Sequence, residues 1–244
     1  MLSDLDLSTA QLLVLVAAAG AGAVVQGLLA FGYALVVVPA LLLLAPSAVP
    51  VTPLVVAFPM VVRLSIRERA ALDRPGFLRL TAGRIPGTAL GAYVLTLVGA
   101  DVIAVIAGGL LLLAVAASVA AGGVRTTPAG EVAAGFVSGI AGTVGAIGGP
   151  ALALAYQDRP GPVLRATISL AFAVGLVVSL LGIAVAGELR SGPVLLGVAL
   201  IPSTLVGLEL GRRLAPRIDG ARLRPAILAF AALGGTIAIL RAVL

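Results

Sequence analysis

Eight long apolar runs separated by short arginine-bearing connections leave this chain few folds to choose from. They cover approximately residues 12–45, 51–62, 80–98, 102–121, 132–156, 167–186, 194–210 and 227–244. About 20 apolar residues in a helix cross the hydrocarbon core of a bilayer. In 244 residues, runs of this kind leave no room for a separate soluble domain. Mean hydropathy is +1.21 and only 11% of residues are charged, against roughly 25% in an average soluble domain. The expected class is an all-α integral membrane protein.

Composition removes most chemistry. The chain has no Cys, His or Trp, so thiolate nucleophiles, structural zinc and imidazole catalysis have no residues to work with. There is no Lys, and hence no phosphate-binding Gly-x-x-x-x-Gly-Lys loop for ATP. A serine hydrolase would lack a base near Ser138, and Asp101 stands alone where an aspartyl enzyme needs two carboxylates. No enzyme, cofactor or metal is expected; a membrane-embedded enzyme acting on a lipid-linked substrate is the version hardest to exclude. The net charge of +6 does not point to nucleic acid, because the arginines lie in connections between apolar runs, where they set membrane orientation.

The chain is internally similar. Residues 85–91 (Ile-Pro-Gly-Thr-Ala-Leu-Gly) match residues 201–207 (Ile-Pro-Ser-Thr-Leu-Val-Gly) at four positions, and Ala57-Phe58 matches Ala171-Phe172. The Gly-rich stretch 27–39 resembles 139–150, each ending in Pro, in the same order along the chain. Duplication is the economical explanation, with chance matches in a residue-poor chain as its rival. The expected domains are a first transmembrane repeat, 1–125, and a second, 126–244.

Arginine distinguishes two topologies. With eight full crossings and the N-terminus inside, nine arginines face the cytoplasm and seven do not. If the first and fifth runs are instead re-entrant and the N-terminus is outside, the split is fourteen to two, which the positive-inside rule favours. The acidic start, with Asp4 and Asp6 and no basic residue before the first run, also suggests an external N-terminus and no cleavable signal. The expectation is therefore two inverted repeats, each a Gly-rich broken or re-entrant helix segment plus about three transmembrane helices, with both termini extracytoplasmic. Such a plan is common in secondary transporters.

The chemistry is expected at the breaks. Glycines recur every three or four residues from Gly135 to Gly149. That spacing fits either a smooth stripe for helix packing or a helix broken at Gly148-Gly149, with Pro150 opening a second half-helix. A half-helix N-terminus offers free N–H groups and a favourable dipole to an anion. On the second reading Gly142, Thr143, Gly145, Gly148 and Gly149 line the substrate. In the first half, Gln26, Gly27, Phe31, Gly32 and Tyr33 correspond, with Gln26 and Tyr33 either touching substrate or bonding nearby backbone. Thr88 and Thr204 are repeat-related hydroxyls expected to face a common axis.

These Gly-rich segments followed by Pro, and the Pro-x-x-x-x-Gly helices at 86–91 and 202–207, resemble the TauE/SafE family of sulfite and organosulfonate transporters. The resemblance covers essentially the whole chain. It implies a multi-pass carrier of the cytoplasmic membrane for sulfite, sulfonates or related sulfur oxyanions, with the Gly-rich segments near substrate. Residues 31–34 (Phe-Gly-Tyr-Ala) depart from the family's run of adjacent glycines, so substrate identity transfers least.

Three charged residues are candidates for gating or coupling. Arg84, near the start of the third run, and Arg165, just before the sixth, either snorkel to the cytoplasmic interface or attract the anion at the inner mouth. Glu209 either pairs with Arg213 one turn on or is a protonatable coupling site. Coupling to protons or sodium, and a passive channel in place of a carrier, are equally compatible with these residues.

Overall fold

The computed structural model describes residues 5, 7–29, 32–120, 127–156, 158–215 and 220–243; Phe31 lies outside them. Among these residues the chain forms α1 (Thr9–Leu29), α2 (Tyr33–Leu44), α3 (Val51–Arg67), α4 (Arg74–Leu97), α5 (Ala100–Ala120), α6 (Pro128–Val144), α7 (Gly149–Tyr156), α8 (Gly161–Val185), α9 (Ser191–Leu214) and α10 (Gly220–Val243). No strand occurs among the described residues. Five helices, α1, α5, α8, α9 and α10, are long and apolar enough to cross a membrane. The α3 helix has 17 residues, and α4 carries Arg74, Arg79 and Arg84 along its 24.

Both Gly-rich runs break and fold back. After α1 the chain reverses through Gly32, whose φ of 119° is open to glycine and strained for any other residue. A β-carbon at Gly22 would lie 3.0 Å from the Tyr33 carbonyl oxygen, so α2 returns along α1. The break falls here and not at Pro39, which sits inside α2. In the fifth run α6 stops at Val144, Gly145 caps it and Ala146 takes a positive φ of 56°. The hydroxyl of Ser138 donates to the Gly148 carbonyl at 2.8 Å, which brings the break back beside α6. Pro150 then occupies the second position of α7, where its missing N–H leaves no gap. At the far end of α7 the Tyr156 hydroxyl donates to Asp73 at 2.9 Å, and Arg159 pairs with Glu131 in the first turn of α6. The α6–α7 hairpin thus enters and leaves on one face.

Lipid supplies no hydrophobic drive between helices, so close backbone approach through small residues must hold them. The seam between α4 and α6 is of this kind. Gly83 and Gly87 lie against the backbone of Val132 and Phe136, while Gly135 and Gly139 lie against that of Leu80 and Arg84. The numbers rise together, so the two helices run parallel. A second parallel seam joins α1 and α9, where Gly207 meets Gly20 and Gly211 meets Val24. Elsewhere α5 crosses α10 at Gly108 and Gly235, α3 packs on α8 and α9, and α4 packs on α8.

Charge is divided between the two faces. Arg165 is bonded to Glu68 at 2.9 and 3.2 Å, Arg79 to Glu131, and Arg63, Arg212 and Arg213 to Glu209. All of these lie on the face where α3 ends, α4 and α6 begin and α9 ends. The opposite face holds Arg190, paired with Glu188, and Arg241, which donates to the Leu43 carbonyl.

Candidate functional site

The start of α4 decides where its arginine goes. Asp73 caps the helix by accepting the Gly76 N–H at 3.1 Å, and a Pro occupies the first turn, both strong start signals. The helix therefore begins at Arg74, well before the apolar run at residue 80. Ten residues at 1.5 Å each carry Arg84 about 15 Å in, near the middle of a bilayer-sized span. The expectation that Arg84 snorkels to an interface is corrected: it is 1% exposed, the largest fully buried side chain among the described residues.

Glycine makes room for it. Gly142 of α6, Gly148 of the break and Gly175 of α8 surround the Arg84 side chain. Nη1 donates to the Ser138 hydroxyl, and the guanidinium carbon lies 4.6 Å from the centroid of the Phe172 ring, a cation–π distance. Nε and Nη2, the two nitrogens of one guanidinium edge, have no hydrogen-bond partner among the described residues. No ion pair to Arg84 occurs among the described residues. A buried cation without a counter-charge is costly in a membrane, which makes Arg84 a candidate functional position.

Arg84 lines a cavity in the middle of the fold. The same cavity is lined by Gln26, Gly32 and Tyr33 from the first hairpin and by Gly142, Gly148 and Gly149 from the second. The N-termini of α2 and α7 thus meet at one space. The two hairpins are fastened alike: Gln26 Oε1 accepts the Tyr33 N–H at 3.2 Å, as Ser138 holds Gly148, and each polar residue immediately precedes a glycine. The Tyr33 hydroxyl is buried with no hydrogen-bond partner among the described residues. Arg84 and Tyr33, each carrying an orphaned donor, thus both stand on the wall of one cavity, and an anion would satisfy donors of this kind.

Several sequence candidates lie elsewhere. The hydroxyl of Thr143 donates to the Gly139 carbonyl and shares a hydrogen bond with Ser179, each at 2.8 Å, so it belongs to the helix interface. Gly145 faces α5 at Ala107. Thr204 bonds carbonyls of its own helix, and Thr88 is buried one turn beyond Arg84, outside the cavity wall. Gly27 abuts α9 at Leu208. It also lines a second space with Gln26, Arg67, Glu68, Arg165 and Arg212 on the arginine-rich face, and Gln26 is common to both spaces. Glu209 is held by three arginines.

Sequence reading misses the cradle of Arg84: Phe172, Gly175 and the apolar side of the cavity from α3. One signal was present, since Ala57 and Phe172, members of the repeated Ala-Phe pair, both line the cavity. In the Ile-Pro match, the residue preceding Ile85 is Arg84 and that preceding Ile201 is Leu200, so only one half carries the charge.

Membrane-length apolar helices around an internal, cation-bearing cavity define a multi-pass membrane transport protein. Residues 14–237 match the family model described as Sulfite exporter TauE/SafE, and the chain belongs to this family. Comparison with curated proteins and with solved structures gave no match.

Proposed function

We propose that this protein carries a small anion, a sulfite, an organosulfonate or a related sulfur oxyanion, across the cytoplasmic membrane by alternating access. The observation that carries this reading is Arg84, a buried cation with no ion-pair partner among the described residues, on the wall of a cavity where two half-helix N-termini meet. Gln26, Gly32, Tyr33, Gly142, Gly148 and Gly149 would line the substrate with it. Each half-helix dipole adds about 0.3–2 kcal/mol toward an anion.

Inverted repeats, 1–125 and 126–244, are supported by reciprocal packing. In each half the third helix after the hairpin's first element packs on the opening helix of the other: α4 on α6, and α9 on α1. The pairs α3–α8 and α5–α10 join equivalent members. Placing the arginine-rich face in the cytoplasm leaves both termini outside and satisfies the positive-inside rule. The space lined by Arg67, Arg165 and Arg212 then becomes an inner vestibule, from which Gln26 leads to the cavity.

The test is uptake of radiolabelled sulfite, sulfoacetate, thiosulfate and sulfate into proteoliposomes, each with and without a proton gradient. Saturable flux of at least one anion is expected, abolished in Arg84→Gln. Absence of flux for all four, in protein shown to be folded, would overturn the reading; non-saturating flux would make the protein a passive channel.

A further inference from the structure

The space on the arginine-rich face has a wall dense in charge, unlike the central cavity, where Arg84 stands among mainly apolar side chains. It measures about 410 Å³, room for an ion with part of its hydration shell. Three arginines and one carboxylate line it: Arg67 at the end of α3, Glu68 just after it, Arg165 in the second turn of α8 and Arg212 in the last turn of α9. Arginines that only set orientation can stand anywhere on the cytoplasmic side. These three come from three helices and from both halves of the chain, yet they converge on one space, whereas Arg69, close by in the chain, does not line it.

The donors on this wall are only partly spent. Arg165 gives Nε and Nη2 to the two oxygens of Glu68 at 2.9 and 3.2 Å, and Arg212 gives Nη1 to Glu209 at 2.8 Å. Arg67 is exposed and has no ion pair among the described residues. A guanidinium carries five N–H donors, so all three arginines keep donors for a further acceptor. Arg63 and Arg213 share Glu209 with Arg212, so five arginines meet two carboxylates around this mouth, and a mouth of one sign concentrates counter-ions. A divalent oxyanion matches the wall itself, where three positive charges face one negative. Glu68 offers Arg165 the same two-oxygen geometry, which makes it the rival of any oxyanion for that edge.

We infer that this space is a second anion site, which binds a divalent oxyanion of the sulfate type on Arg67, Arg165 and Arg212, outside the central cavity and with Glu68 as a competing ligand for Arg165. Its side chains keep contact with water: those of Arg165 and Arg212 are 34% and 22% exposed, so binding is weaker and more salt-sensitive than at a buried site. Gln26, which lines both spaces, stands between the bound ion and Arg84. The site goes beyond the carrier reading and needs no transport to fill.

Ala215, exposed at the end of α9 and on the wall of this space, is the place for a reporter. In full-length Ala215→Cys protein in phosphatidylcholine nanodiscs, the rate of alkylation by N-ethylmaleimide is followed as sulfate is added, with chloride at the same ionic strength as the control. Sulfate should slow the reaction saturably and beyond chloride, and equally so when Arg84→Gln is added. Arg67→Gln should raise the half-protecting sulfate concentration about threefold or more, and Glu68→Gln should lower it about three- to fivefold, the range an exposed ion pair commands. Protection no greater than chloride gives, or half-protection unmoved by either of these variants, would overturn the site. Protection lost with Arg84→Gln would move the ion to the central cavity and overturn it as well. Nanodiscs containing phosphatidylglycerol separate a soluble ion from a lipid phosphate: sulfate protection should persist there, whereas alkylation slowed by the lipid alone, with no further effect of sulfate, would assign the arginines to a headgroup instead. None of these outcomes touches the uptake assay, whose failure would leave this site standing.

Discussion

Arg84 of α4 and Gly175 of α8 are in such close contact that a β-carbon on Gly175 would collide with the guanidinium. Flexible arginines usually yield to an added methyl group, but this one is held at Nη1 by Ser138 and flanked by Gly142 and Gly148. Gly175→Ala should therefore displace the charge from the cavity without altering a polar residue. Anion affinity is expected to fall by about tenfold or more, equivalent to ~1.4 kcal/mol, and Tm should fall with the overpacking, which costs about 1–3 kcal/mol. Titration of the purified variant with the best-bound anion measures it; unchanged affinity would show that the guanidinium position is immaterial.

Thr143 separates packing from binding within one helix. Its hydroxyl is committed to the Gly139 carbonyl and to Ser179, so Thr143→Val should cost some stability while leaving anion affinity within about twofold of wild type. Gly149, on the cavity wall, should behave in the opposite way: Gly149→Leu fills the space next to Phe172 and should abolish binding with little effect on insertion. Parallel thermal melts and binding curves distinguish the two outcomes.

Glycine along α4 and α5 offers a matched comparison for assembly. At Gly83 a β-carbon would overlap the Val132 carbonyl, backbone that cannot rotate away, whereas at Gly109 no described residue lies within 4 Å. Gly83→Val should yield little folded protein by fluorescence-detected size exclusion, and Gly109→Val should elute as wild type. Equal yields would mean that the α4–α6 seam tolerates separation.

The topology can be read chemically because the chain contains no cysteine, so an introduced one reports alone. Cysteines replacing Arg69 and Arg213 should be protected in intact cells from a membrane-impermeant maleimide, and those replacing Glu188 and Ser191 should be labelled. The reverse pattern would turn the protein over and place the arginine-rich face outside.

The sequence expresses the hairpins more clearly than the charge they surround. Dense glycine with a following proline predicts a broken fifth run, and the break falls between Val144 and Gly149 as local chain chemistry requires. Pro39 causes no break and lies inside α2, because neighbouring helices in a membrane protein re-satisfy the backbone that proline frees; the chain reverses at Gly32, within the stretch 26–33 singled out in the first half. Arg84 was recognisable as a candidate, but its depth was not. Hydropathy starts that helix near residue 80, while the Asp73 cap starts it at Arg74. Its cradle comes from Gly142, Gly148 and Gly175, distant in sequence, so no local pattern could disclose it.

The backbone-to-backbone seam between α4 and α6 has a mechanical consequence. Side chains that interdigitate can slide by changing rotamer, but glycine faces have no rotamers, and sliding would drive carbonyl oxygens onto α-carbons. The two helices must then translate and tilt as one stiff beam with Arg84 fixed to it. Compliance is left to joints made of side chains, and Leu54, Met60 and Val61 of α3 form such a joint against the cavity.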